Sequence, residues 1–284
     1  MKQSCFYLTV LLILTQSVCW AQKKKVFISS KPLPHKGILS ANAGAGIAYY
    51  TGDLSDGINM SHLGLGPMIE AGLQYRLSEH FSARGGIRLY QISADQKHSR
   101  NYTGNLSFRS TNPDLYVAGQ ADLFAFTRQP ILNPYLFAGI GFTRINPKAK
   151  LDNEWHPLAP LTTEGIKYNQ LPFVITAGIG VRYRINDRWS AGIELTNNFA
   201  KSDYLDDVST NYPDPGLLPS ELARRLSDRT PEIGLPPQES GNIRGNPTQN
   251  DSYLFLNFTL QRVIWTQQMA NEKKSTRITK KHIP

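Results

Sequence analysis

The sequence predicts an all-β fold: an eight-stranded antiparallel transmembrane β-barrel with short periplasmic turns and long extracellular loops. Three observations carry this. Apolar residues recur with a period of two in eight segments. The connections between those segments alternate between tight and long. No apolar run after Ala21 reaches the roughly 18 residues of a helical span.

The first predicted strand, Ile38 to Tyr50, is the weakest, with Leu39, Ala41, Ala43, Ala45, Ile47 and Tyr49 on one parity. In the second, Leu63 to Arg76, the parity of Leu65, Ile69, Leu73 and Tyr75 opposes that of Met68, Glu70, Gln74 and Arg76. In the third, Phe81, Ile87 and Leu89 oppose Arg84 and Arg88. The fourth sets Leu115, Val117 and Leu123 against Tyr116, Gln120 and Asp122, and the fifth sets Leu136, Ile140 and Phe142 against Gly139 and Gly141. The sixth runs from Leu171 to Arg184 and the seventh from Trp189 to Thr196; the last carries Leu254, Leu256, Phe258 and Leu260 on one face. Three connections are tight, at 78–80, 128–133 and 186–188, and four are long, at 51–62, 93–113, 147–170 and 201–251. A strand tilted across a bilayer needs about 9 to 11 residues, which each segment roughly supplies. Backbone groups in lipid must be paired within the protein, so such strands span only as a closed barrel. Tyr49, Tyr50, Tyr75, Phe81, Tyr135, Tyr183, Trp189 and Trp265 lie near strand ends and read as interfacial belts.

A soluble barrel would bury the apolar parity instead. The charged parity holds glycines and single charges, which suits a narrow lumen better than a wet surface. Lipid is therefore placed against the apolar face. The inward charges are then Glu70, Arg84, Arg88, Asp122, Arg182 and Glu194. Unpaired charges there would be costly, so a cross-strand salt-bridge network is expected. An eight-stranded lumen is about filled by its own side chains, so no pore is expected. The pairs Gly44/Gly46, Gly64/Gly66, Gly139/Gly141 and Gly178/Gly180 complete no nucleotide-binding fingerprint; they make room for bulkier neighbours.

The ends set the compartment. Lys2, the apolar run Phe6 to Leu14 and the small-residue site at Cys19-Trp20-Ala21 read as a secretory signal cleaved after Ala21. The expected division is a signal peptide at 1–21, a periplasmic lead at 22–37, the barrel at 38–265 and a basic periplasmic tail at 266–284. Both cysteines, Cys5 and Cys19, fall inside the signal, so the exported chain has neither disulfides nor thiolate ligands. The net charge is +9, with basic clusters at both ends. No recognition motif accompanies it, and an exported protein rarely meets nucleic acid. Anionic outer-membrane lipid is the expected partner of the tails, nucleic acid is not, and a monomeric barrel is expected.

No chemistry-bearing constellation stands out. His35, His62, His80, His98, His156 and His282 are scattered over loops, turns and tails, without zinc spacing or an evident triad. No cofactor is expected. The segment SDYLDDVSTNY places Asp203, Tyr204, Asp206 and Asp207 where the seventh strand ends, and Asn246, Asn250 and Asp251 lead into the eighth. Asp203 and Asp207 are expected to pair with Arg244 or to accept backbone N–H groups. Calcium is the minor reading, since the spacing is not D-x-D-x-D-G. A short helix is expected from Pro219 to Ser227, capped by Ser220.

YYTGDLS (49–55), LPFVITAGIGVRYRINDRWSAGIEL (171–195), SDYLDDVSTNY (202–212) and RGNPTQNDSYLF (244–255) together resemble the PorG-like outer-membrane barrels of Bacteroidetes-type bacteria. The resemblance covers nearly the whole exported chain. It implies a non-enzymatic barrel that anchors or scaffolds envelope machinery, with periplasmic subunits of the type IX secretion complex as partners. Many such barrels have no assigned role. A surface adhesin using the long fourth loop and a lipid-modifying barrel enzyme remain as alternatives.

Overall fold

The computed structural model describes residues 36–55, 64–98 and 102–266. The expected signal peptide, most of the lead, all but Thr266 of the tail, and His35, His62 and His282 lie outside the described residues.

The strands are β1 (Ile38–Thr51), β2 (Gly66–Arg76), β3 (Phe81–Asp95), β4 (Ser107–Asp122), β5 (Leu132–Thr143), β6 (Lys148–Leu151), β7 (Glu154–Pro157), β8 (Phe173–Arg184), β9 (Trp189–Ala200) and β10 (Ser252–Thr266). Eight of them close a barrel by antiparallel pairing of neighbours, in the order β1, β2, β3, β4, β5, β8, β9, β10 and back to β1. Closure leaves no unpaired edge. Ile38 pairs with both Thr266 and Arg76, so both ends of the barrel stand at the short-turn side.

The period of two decides the faces. Ile69 is 57% exposed and its neighbour Glu70 8%. Leu115 and Val117 face out while Tyr116 and Ala118 face in. Leucine, isoleucine and phenylalanine cover the outside of nearly every barrel strand, which rules out the soluble barrel. Two of the expected belt residues belong elsewhere. Tyr50 and Tyr135 are buried in the lumen because their parity is the inward one, whereas Tyr75, Phe81, Tyr183 and Trp265 are exposed.

Glycines shape the inside. A Cβ on Gly178 would stand 2.5 Å from the Phe137 ring, and one on Gly180 would stand 2.6 Å from the Tyr135 ring. Two glycines of β8 thus make room for two aromatic side chains of β5.

The long connections hold more order than the sequence predicts. The β3–β4 ladder continues to Asp95 opposite Ser107, taking in both ends of the expected loop 93–113. There Phe108 points inward while Arg109 and Thr111 point outward, so the outer face turns polar beyond the apolar band. The loop 147–170 contains the β6–β7 hairpin, turned by Asp152 (φ 50) and Asn153 (φ 68). Left-handed backbone at both central residues is what a two-residue hairpin turn requires. In the loop 201–251 stands one α-helix, α1 (Glu221–Ser227), flanked by short 3-10 turns at Pro215–Leu217 and Thr230–Ile233. Ser220 caps it by accepting from the Ala223 N–H at 3.1 Å. Leu226 packs with Ala149, Leu151 and Leu158, which lays α1 on the hairpin.

Candidate functional site

From the short-turn end upward, the lumen is filled in layers. Lowest, Arg76 and Arg182 approach Asp122 at 2.8 and 3.4 Å, and Gln120 donates to the same carboxylate. In the middle, Arg84 grips Glu194 with two nitrogens, at 2.7 and 3.1 Å, and lies 3.7 Å from Glu70. Tyr135 donates to Glu194 at 2.6 Å, and the Arg84 guanidinium lies over the Phe137 ring. Above that, Arg88 meets Asp114 at 2.8 Å, and Tyr253 donates to the other oxygen of Asp114. Arg76 and Asp114 join the six charges that sequence parity places here. Arg76 already stood on the inward parity. Asp114 was hidden at the edge of a segment read as loop.

The top of the lumen is apolar. Tyr50, Met68, Tyr90, Phe108, Val174 and Phe255 from the strands pack with Leu54, Leu106, Ile145, Leu205 and Val208 from the loops. Loop side chains thus plug the barrel from above.

Over this plug sits the acid cluster. β9 delivers the segment from Ser202, and β10 is entered through Asp251, whose N–H donates to the Ser202 carbonyl. Tyr50 Oη lies 2.6 Å from Asp206 and 2.8 Å from Asp251. One hydroxyl carries one proton, so both contacts are satisfied when one of the two carboxyls is protonated and donates back. Burial holds both acids well above the usual carboxylate range, and the charge of Asp206 raises Asp251 further. The N–H groups of Val208 and Leu205 donate to Asp206 and Asp251 in turn.

Asp207 faces another way. Its carboxylate accepts from Thr163 and, at 2.7 Å, from Tyr168. Burial pushes it up to about 6, against the pull of Arg244. Tyr168 stacks on Tyr204 with ring centroids 4.5 Å apart. Asp203 is buried, with the Ser209 side chain pulling against its burial. Burial, with the charges of Asp53 and Glu164 nearby, pushes it to about 7.

Arg244 does not pair with the carboxylate of Asp203 or Asp207, as the sequence suggests. It forms its ion pair with Glu164 at 2.9 Å and donates to the backbone carbonyl of Asp207 at 2.7 Å. Glu164 also accepts from the N–H groups of Ser209 and Thr210. No sequence signal marked Glu164, one of three acids in the loop 147–170, whose partner lies 80 positions away. Asn246 is exposed; its N–H donates to Asp53 at 2.7 Å and its side chain accepts from Thr248. Asn250 is exposed. The acids therefore do not converge on one point, and among the described residues no group of three ligating side chains is placed to hold a metal ion. His80, His98 and His156 stand in a turn, beside a loop and on the β6–β7 hairpin.

An apolar outer wall around a buried, ion-paired interior defines an integral outer-membrane barrel. Residues 36–212 match the family model described as Outer membrane protein beta-barrel domain, and the chain belongs to that family. The protein thus resides in the outer membrane, with its short turns toward the periplasm and its long loops outside. Among solved structures the chain is similar to Neisserial surface protein A, at 10% identity, with 80% of this chain and 97% of that one covered and a TM-score of 0.42. It is also similar to OprG from Pseudomonas aeruginosa, at 11% identity, 82% and 100% coverage and a TM-score of 0.37. Ail of Yersinia pestis gives 8% identity, 80% and 99% coverage and a TM-score of 0.37. No curated protein matches the sequence.

Proposed function

We propose that this barrel is a non-enzymatic anchor, which holds envelope machinery to the outer membrane rather than passing solutes or turning over a substrate. The filled lumen carries this reading. Arg84 is clamped by Glu194 and Glu70 at mid-height, and an apolar plug that includes loop residues lies above. The resemblance of YYTGDLS, SDYLDDVSTNY and RGNPTQNDSYLF to PorG-like barrels makes the type IX secretion complex the proposed client, with its periplasmic subunits as direct partners.

Affinity capture of the tagged full chain from outer membranes is the test. Periplasmic subunits of a secretion complex should co-purify, and deleting the gene should impair secretion of their cargo. Capture of lipid alone, with secretion unchanged in the deletion strain, would overturn the client. Planar-bilayer recording tests the anchor itself: a closed barrel gives no conductance steps, and lasting ion-conducting openings would contradict it.

A second reading has its own observation. The 201–251 loop is ordered by buried side chains and covers the extracellular end, as a surface binding module would require.

A further inference from the structure

The outer wall is not equally greasy to its top on all sides. On β5 the outward parity runs Leu136, Ile140, Phe142; just beyond it stands Arg144, and on β6 Lys148 and Lys150, all exposed. On β4 the same parity runs Val117, Leu115, Pro113, Thr111 and then Arg109. The Arg144 N–H donates to the Pro113 carbonyl, so the two faces change character at the same height. At about 3.3 Å per residue, Arg144 stands one outward step, roughly 7 Å, above Phe142. The outward tops of β1 and β10 carry Tyr49 and Leu254 instead.

Arg109 and Lys148 are direct cross-strand partners. Like charges placed opposite each other destabilise a sheet unless an anion lies between them. Among the described residues none of Arg109, Arg144, Lys148 and Lys150 forms an ion pair. The nearby Asp152 is already held by Arg225. Arg109 lies over the Trp155 ring, an aromatic–basic pair suited to a membrane interface.

Directly below the cations the wall is hollowed. A groove of about 660 Å³ runs between Ile69, Ile87, Leu89, Pro113 and Phe142, with Arg144 at one margin. Its lining is almost wholly apolar and it faces the bilayer, where an acyl chain is the available occupant. A soluble anion would satisfy the cations and leave the groove unused. A phosphorylated lipid satisfies both.

We propose that this face is a binding site for a phosphorylated lipid of the outer leaflet, with one acyl chain in the groove and its phosphates on Arg109, Arg144, Lys148 and Lys150. The site is independent of the anchor reading, since it concerns the bilayer side of the barrel and not its periplasmic client.

The test uses the purified full chain in zwitterionic micelles at physiological salt. It is titrated with bis-phosphorylated lipid A, dephosphorylated lipid A and inorganic phosphate, and bound lipid is counted by native mass spectrometry. Lipid A should bind saturably. Arg144→Ala with Lys148→Ala should weaken it about thirtyfold, at roughly one interfacial charge each. Arg144→Lys with Lys148→Arg should restore most of the binding, and dephosphorylated lipid A should bind no better than the double alanine variant. Ala71→Trp, which fills the groove, should weaken lipid A while leaving the cations in place. Folding is checked by gel mobility without boiling. Equal binding by the double variant, or equal binding of dephosphorylated lipid A, would overturn the proposal. So would saturable inorganic phosphate binding without lipid A binding, which would assign the cations to a soluble anion.

Discussion

In the lumen, Arg76, Arg84, Arg88 and Arg182 face Glu70, Asp114, Asp122 and Glu194, four cations for four carboxylates. In the cap, Asp53, Glu164, Asp203, Asp206, Asp207 and Asp251 gather with one buried arginine among the described residues, Arg244, whose ion pair is with Glu164. The two regions lie one above the other and solve the burial of charge differently. The lumen neutralises its carboxylates with guanidinium groups, which stay charged at any ordinary pH. The cap relies on hydroxyl donors, backbone N–H groups and protons. Charge balance by arginine makes a rigid wall, whereas charge balance by protons makes a structure that responds to pH.

The sharpest way to break this comparison is to remove one side of a lumen pair. Arg84→Ala should cost the barrel about 3–5 kcal/mol, because Glu194 is left buried and unpaired. Unfolding in urea, followed by gel mobility, reads this directly. The pair replacement Arg84→Met with Glu194→Gln should recover much of the loss. If the single change is harmless, the lumen network is not what holds the middle of the barrel.

The matching change above is Arg244→Met. It strands Glu164 and removes the donor to the Asp207 carbonyl, and should loosen the cap by about 3 kcal/mol. Here the expected sign is local: faster proteolysis within 202–251 with an unchanged barrel unfolding midpoint. Tyr50→Phe keeps the ring in the apolar plug and deletes the hydroxyl shared by Asp206 and Asp251. A loss of about 2 kcal/mol in cap opening follows from hydrogen bonds to charged groups. Smallest, Ser220→Ala should cost about 1 kcal/mol of local stability in α1 and leave the acids untouched.

The pH response has a definite direction. Asp203 and Asp207 titrate in the folded cap at about 7 and about 6. Unfolded carboxyls titrate near 4. The folded cap therefore binds protons more tightly than the open one. Its stability from these groups is complete below about pH 4 and is lost as pH rises through about 6 to 7. Asp206 and Asp251 are raised as well and act in the same direction.

The barrel was largely legible because a period of two is a local signal. It assigned Glu70, Arg84, Arg88, Asp122, Arg182 and Glu194 to one interior before any contact was known. It failed where the outside changes medium. Beyond Leu89 and Pro113 the outward residues become polar, and a strand that leaves the bilayer reads as loop. It also misassigned Tyr50 and Tyr135, since an aromatic near a strand end suits either a belt or a lumen and only parity separates them. The cap was legible in part. SDYLDDVSTNY marked where acids gather, but Glu164, Asp53 and Tyr50 come from distant segments with no shared periodicity. Which acid Arg244 would meet depended on loop packing, not on spacing.

The contrast itself is tested most directly by amide hydrogen exchange on the full chain in lipid at pH 4.5 and pH 8, corrected for the chemical exchange rate. Protection within 202–251 should fall at the higher pH while that of β2, β3, β5 and β8 holds. Equal protection of the cap at both values, or a parallel loss in cap and strands, would contradict the division between an arginine-balanced barrel and a proton-balanced cap.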